Sequence, residues 1–129
     1  MTPVVLDTCV VLWLAGQQDA LSANARGVLA DPAVALHVSA ISAWEIAIKA
    51  RKGKLGLPDA PDVWWQRFLG SFGVHEVAVT GVIAMGAVAE ELPHGDPADR
   101  IVVATARSLG ARLLTADRIL RETIPFVVW

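Results

Sequence analysis

Short apolar runs alternate along the chain with longer amphipathic stretches, and the alternation predicts strands and helices in turn. Pro3-Val-Val-Leu-Asp7 is an apolar run ending in an acid, the form of a buried parallel strand with a polar group at its carboxyl end. A helix is expected through Thr8 to Leu14. Ser22 reads as the N-cap of a helix reaching about Ala30, closed by Asp31-Pro32, and Val34 to Val38 as a second strand. Ser39 starts a helix carrying Ile41, Trp44, Glu45 and Ile48, which Gly53 stops and whose negative end suits Arg51, Lys52 and Lys54. Asp62 to Phe72 predicts another helix, Val74 to Val79 a third strand, and Thr80 to Glu91 a helix of mostly small apolar residues. After the loop Leu92-Pro-His-Gly-Asp96, Pro97 opens a helix whose Ile101 to Ala106 are apolar nearly all round, as burial on several sides requires. Arg112 to Thr115 reads as a fourth strand, Asp117 to Glu122 as a short helix, and Phe126 to Val128 as an edge strand.

Strands alternating with helices across short connections indicate a parallel sheet covered on both faces. The expected class is α/β, a three-layer α/β/α sandwich with a central, mostly parallel sheet and with strands one and four adjacent near its centre. At 129 residues, with no linker composition, residues 1–129 are expected to form one domain.

Composition narrows the function. Hydrophobic residues make up 54% of the chain and charged residues 19%, which supplies a core and excludes disorder. So large an apolar fraction in a short chain implies exposed apolar surface, hence a protein partner or self-association. The longest apolar stretches, Val10 to Ala15 and Val82 to Ala89, fall short of the roughly 20 residues of a membrane span, so no membrane association is expected. The first residues lack the basic start of a secretory signal, and a single cysteine fits a reducing cytoplasm. The net charge of −2 offers no global attraction for nucleic acid, so any such site must be local.

Candidate chemistry lies in acids at or near strand ends, where open α/β sheets place their ligands. Each also has an ordinary explanation. Asp7, Asp96 and Asp117 suit helix N-caps, and Asp99 at the third helical position favours the helix dipole. Glu45 suits a capping box begun by Ser42 or an i,i+4 pair with Lys49, although its spacing from Ile41 and Ile48 puts it on an apolar stripe facing inward. With strands one and four adjacent, Asp7, Glu45, Asp99 and Asp117 converge on one cleft. Such a gathering raises carboxyl pKa values and lowers stability unless a cation sits among the acids. Oxygen-only ligation without a Cys or His cluster suits Mg²⁺ or Mn²⁺.

Four segments carry a resemblance: Val4-Val-Leu-Asp7-Thr8-Cys-Val-Val-Leu-Trp13, Ser39-Ala-Ile-Ser-Ala-Trp44-Glu45-Ile-Ala-Ile-Lys49, Pro93-His94-Gly-Asp96-Pro97-Ala-Asp99-Arg100, and Leu113-Leu-Thr115-Ala-Asp117. In order and spacing they resemble PIN domains of the VapC-type toxins, over nearly the whole chain. The resemblance implies an endoribonuclease that hydrolyses RNA with one or two divalent ions held by Asp7, Glu45, Asp99 and Asp117. It implies that Thr8 and Thr115 orient carboxylates through their hydroxyls, with Asp96 contributing through water or serving only as a cap. It also implies a small antitoxin protein lying across the acidic pocket, and a homodimer. Trp64, Trp65, Phe68 and Phe72 fit either a groove for such a partner or, the commoner fate, the core. Lys49, Arg51, Lys52 and Lys54 fit either an RNA backbone or a solvated helix end. Cys9 reads as a small buried hydrophobe, and His94 has proton-relay chemistry that a lone loop histidine seldom uses.

Two alternatives stay open on sequence. A haloacid-dehalogenase-like phosphohydrolase could use Asp7 as nucleophile, although Cys9 stands where that chemistry wants a second Asp. A non-catalytic PIN-like binding module is the other, opposed by the intact set of acids. No Gly-rich phosphate loop, His-Glu-x-x-His, serine elbow or Cys-x-x-Cys is present.

Overall fold

A computed structural model describes residues 1–93 and 95–129, so His94 lies outside the described residues. β1 (Thr2–Leu6), β2 (Val34–Ser39), β3 (His75–Val77), β4 (Arg112–Leu114) and β5 (Val127–Val128) form a five-stranded sheet in the order β3-β2-β1-β4-β5. All four pairings are parallel, with Val5 opposite His37 on one side and Leu113 on the other. The expected sheet is therefore observed, with strands one and four adjacent at its middle. The chain builds outward through β1, β2 and β3, then returns to lay β4 on the opposite side of β1. The strand order thus reverses between β1 and β4, which opens a crevice beyond their carboxyl ends.

Side chains alternate along β1 between two cores. Val4 and Leu6 pack with Val10, Val11 and Leu14 of α1 (Thr8–Gly16), Ala25 of α2 (Ala23–Ala30), Ile46 of α3 (Ala40–Arg51), and Trp65 and Phe68 of α4 (Pro61–Phe72). Val5 faces the other way, among Val102, Val103 and Ala106 of α6 (Pro97–Ser108) and Leu120 of α7 (Arg118–Thr123). A small third cluster joins Ile83 and Ala87 of α5 (Gly81–Val88) to Ala104. A sheet buried on both faces is the three-layer sandwich that the strand–helix alternation predicts. Among the described residues no helix is long and apolar enough to cross a membrane.

β4 and β5 each fall one residue short of their hydrophobic runs, and two elements are shorter by more. β3 covers three residues rather than Val74 to Val79. Its start is taken by a helix ending: Gly73, at φ 62°, closes α4, and the Val74 N–H donates to Leu69 O at 3.0 Å. Its end is set by β2, because Val77 pairs with Ser39 and Ser39 already caps α3. α5 stops at Val88 rather than Glu91 because the Glu90 carboxylate turns inward onto Arg107, at 2.7 and 3.1 Å. A short 3₁₀ turn at Gln18–Ala20, unforeseen in the sequence, completes the connection from α1.

Leu114 is fully buried where β4 meets β1, next to the crevice. Leu114→Ala removes buried methyl groups and leaves a cavity, and is expected to lower the unfolding free energy by about 2–5 kcal/mol. Urea denaturation followed by far-UV circular dichroism measures it; a loss below about 1 kcal/mol would contradict close packing at this junction.

Candidate functional site

The crevice beyond β1 and β4 is a cavity of about 320 Å³ lined by Asp7, Glu45, Asp96, Asp99 and Asp117, together with Thr8, Cys9, Trp13, Lys49 and Ala116. The structure brings together all four acids singled out in the sequence, and Asp96 with them. Each is carried there by a helix. Asp7, Asp96 and Asp117 are N-caps, accepting from the backbone N–H of Thr8 at 2.8 Å, Ala98 at 3.0 Å and Leu120 at 2.9 Å. Asp99 stands in the first turn of α6. The amino-terminal ends of α1, α6 and α7 therefore all face this cavity, where their partial positive charge favours anions.

Asp7 is only 7% exposed and has both carboxylate oxygens engaged. Oδ1 accepts the Thr8 N–H and Oδ2 accepts the Thr115 hydroxyl at 2.6 Å; the Thr115 oxygen accepts the Asp117 N–H at 3.0 Å. Thr115, fully buried, stands behind the cavity wall and orients an acid without lining the space. Thr8 serves two acids, its N–H bonding Asp7 and its hydroxyl donating to Glu45 Oε1 at 2.5 Å. That hydroxyl also lies 2.8 Å from Ser42 Oγ.

Burial is the leading influence on three of the carboxyls. It raises Asp7 against the opposing hydrogen bonds from Thr115 and Thr8, with Asp117 adding repulsion. It raises Glu45 against the Thr8 hydroxyl, with Asp7 repelling and Lys49 attracting. Asp99 is pushed up to about 7, by burial first and then by Asp7, Asp96, Asp117 and Glu45. These groups accordingly act as one electrostatic unit.

The donors are suited to a hard divalent cation: five carboxylates whose mutual repulsion a cation would relieve. Among the described residues no three acid, His or Cys side chains stand in a ready-made ligating arrangement, so the fit is one of donor type, number and charge.

Three sequence expectations need correction. Cys9 is exposed at the cavity rim and not buried, because the inner face of α1 is formed by Thr8, Val10, Val11 and Leu14. Partial desolvation at the rim and then the Asp7 charge push its thiol up, so it is not a poised thiolate. Ser42 does not begin a capping box: Ser39 caps α3, accepting from Ile41 N at 3.2 Å, and Ser42 is fully buried one turn before Glu45. The buried side of α3 is carried by Ser42 and Ile46, whereas Ile41 and Ile48 are half-buried, so Glu45 faces inward at the edge of that side. Of the four cations near the end of α3, only Lys49 lines the cavity. Trp65 and Phe68 are core, and Trp64 and Phe72 pack against it.

Residues 4–124 match the model of the PIN domain. The chain belongs to the PIN-domain family. Over its full length, and the full length of the relative, it is 38% identical to "Ribonuclease VapC22" of Mycobacterium tuberculosis. Solved PIN-type neighbours include a toxin–antitoxin complex from Klebsiella pneumoniae, at TM-score 0.68 and 23% identity over 98% of this chain and 96% of that one. VapBC2 from Rickettsia felis, bound to a DNA fragment from its promoter, matches at TM-score 0.68 and 13% identity over the same shares. At such identities the two structures corroborate the PIN fold.

The acids that sequence reasoning selected thus line one crevice of a PIN fold, at the strand-order reversal. It missed Ser42 and Trp13 as neighbours of that crevice. Ser42 had a usable signal, since it lies three residues before Glu45 and so shares its helix face. Trp13 had none beyond its place on an apolar helix.

With its pKa near 7 against an ordinary 3.8, the Asp99 carboxyl favours the fold while protonated. Its contribution is fully present below 3.8 and is lost as pH rises through about 7. Asp99→Asn is therefore expected to raise the thermal midpoint of chelator-treated protein at pH 8 and to change it little at pH 4. Differential scanning calorimetry decides this; a destabilised Asn variant at pH 8 would contradict the charge crowding.

Proposed function

We propose that the chain, as one PIN-like domain over residues 1–129, is a metal-dependent endoribonuclease serving as the toxin of a toxin–antitoxin pair in the cytoplasm. The observation that carries this reading is the gathering of Asp7, Glu45, Asp99 and Asp117 in one cavity at the strand-order reversal. The full-length relative with the ribonuclease name points to the same chemistry.

On this reading the four acids hold Mg²⁺ or Mn²⁺. When bound, the ion supplies Lewis-acid stabilisation of a phosphodiester and a water of lowered pKa. The remaining work belongs to the chain. Thr115 and Thr8 hold the Asp7 and Glu45 carboxylates in fixed rotamers. Lys49, on the cavity wall, is placed to meet a phosphate oxygen. Asp96, committed to the Ala98 N–H through one oxygen, ranks below Asp99 and acts through water or as a cap alone.

The partner proposed is a small antitoxin protein whose C-terminal segment crosses the acidic pocket. Full-length similarity in fold to a solved toxin–antitoxin complex supports it. So does a groove of about 910 Å³ between α3 and α4, lined in part by Trp44, Ile46, Val63 and Trp65. Homodimer formation draws support from the exposed apolar side chains Val82, Met85 and Val88 along α5. The phosphohydrolase alternative gains nothing, since Cys9 occupies its second acid position at the cavity rim. The binding-module alternative gains nothing either, because every acid is in place.

Purified protein is expected to cleave RNA with added Mg²⁺ or Mn²⁺ and to stop in excess chelator. Asp99→Asn is expected to lower the rate by about 100-fold or more, the scale of losing a positioned charge in a reaction centre. A gel assay on labelled RNA measures both, and undiminished cleavage in chelator would overturn the metal reading. Expression alone should arrest growth, and co-expression of the antitoxin should relieve it.

A further inference from the structure

Ser42 has no part in the ligand set read above, yet it is the most deeply buried polar side chain of α3, with no exposed surface. Its hydroxyl lies 2.8 Å from Thr8 Oγ1, and Thr8 Oγ1 lies 2.5 Å from Glu45 Oε1. A hydroxyl has one proton and two acceptor sites, while an ionised carboxylate can only accept. The Thr8 proton therefore goes to Glu45, and the Ser42–Thr8 bond must be donated by Ser42. The chain has one direction, from Ser42 through Thr8 to Glu45.

The same arrangement recurs on the other side of the cavity. There the Asp117 N–H donates to Thr115 Oγ1, and the Thr115 hydroxyl donates to Asp7 Oδ2. In both cases a threonine hydroxyl holds a carboxylate, and a further donor occupies a lone pair of that hydroxyl so that its proton points one way. For Asp7 the further donor is a rigid backbone amide. For Glu45, whose long side chain has more freedom to lose on ordering, it is the Ser42 side chain.

We propose that Ser42 is a positioning residue for Glu45, acting through the Thr8 hydroxyl to hold the carboxylate ready for a divalent ion. The inference rests on the metal-site reading above. With Ser42 in place, the two successive hydrogen bonds polarise one another and leave Thr8 a single orientation. Without it, the Thr8 oxygen keeps an unfilled acceptor in a buried setting, and its proton is free to turn toward other acceptors. Ser42 lies one turn from Glu45 on the same helix, so the geometry is built into α3 and needs no movement of other elements.

The test is Mn²⁺ binding to RNA-free protein, followed by electron paramagnetic resonance titration, in wild type, Ser42→Ala, Thr8→Val and the double variant. Thr8→Val is expected to weaken binding by about 10- to 100-fold, and Ser42→Ala, one bond further from the ion, by about 3- to 10-fold. In the Thr8→Val background, Ser42→Ala should add nothing, because its route to Glu45 is already cut. Raising Mn²⁺ should restore RNA cleavage by Ser42→Ala to the wild-type rate, which a general loss of structure would not allow. Ser42→Thr, which keeps the hydroxyl, should bind Mn²⁺ within about 2-fold of wild type. Wild-type affinity in Ser42→Ala, or the same loss in both backgrounds, would overturn the inference while leaving the metal reading intact. Wild-type protein that binds no Mn²⁺ would overturn both.

Discussion

The burial of one carboxylate at the end of the central strand organises this molecule. Asp7 follows β1, the middle strand of the five, and its N–H extends the sheet by donating to Leu114 O at 3.0 Å. Taking a carboxylate out of water is unfavourable unless hydrogen bonds replace the lost hydration. The Thr8 amide and the Thr115 hydroxyl supply two, yet the Asp7 pKa is still raised, so burial outweighs them. The site is thus held short of full electrostatic satisfaction, a residual demand that a cation would answer. Thr115 can reach Asp7 only because β4 is paired directly with β1. The order of strands and the chemistry of the pocket are one constraint.

The cap reading and the site reading of the acids prove compatible. A cap commits one carboxylate oxygen to a backbone N–H, and the side chain still lines the cavity. Asp7, Asp96 and Asp117 each spend Oδ1 in this way. Capping also fixes where each acid points, because the helix that it starts is packed against the sheet. Three helix amino termini then share the task of tolerating the gathered negative charge. In this fold a side chain that caps its own helix is thereby also held at the cavity.

Much of this was legible in the sequence, for identifiable reasons. Apolar runs ending in Asp7 and just before Asp117 reported both the strands and the direction in which their carboxyl ends face. The nearly all-apolar run from Ile101 to Ala106 reported a helix buried on several sides, as Val102 to Ala106 of α6 are. What stayed hidden depends on contacts distant along the chain. The inward turn of Glu90 is set by Arg107, seventeen positions on, and no local propensity marks it. The exposure of Cys9 follows from which face of α1 meets the sheet, a choice that an almost wholly apolar helix does not encode in its periodicity. Ser42 was readable as a cap because Ser-x-x-Glu is a genuine capping signature; only the position of Ser39 at the true helix start excludes it.

A chain of net charge −2 with five acids around one cavity is a poor receptor for a polyanion. Among the described residues of the cavity Lys49 alone carries positive charge, and its attraction is divided between Asp7 and Glu45. On the ribonuclease reading, phosphate approaching the bare pocket meets repulsion at short range, where the low-dielectric walls screen it least. Each divalent ion, if bound, would shift the pocket by two positive charges and lessen that repulsion for the nearest phosphate oxygens. Substrate affinity and ion affinity would then be linked: RNA would bind the ion-loaded protein more tightly, and by reciprocity would tighten the hold on the ion. The crowding that raises Asp99 toward neutrality therefore does more than destabilise the metal-free fold. It sets the negative charge that a bound cation would have to offset before the pocket could engage a phosphodiester.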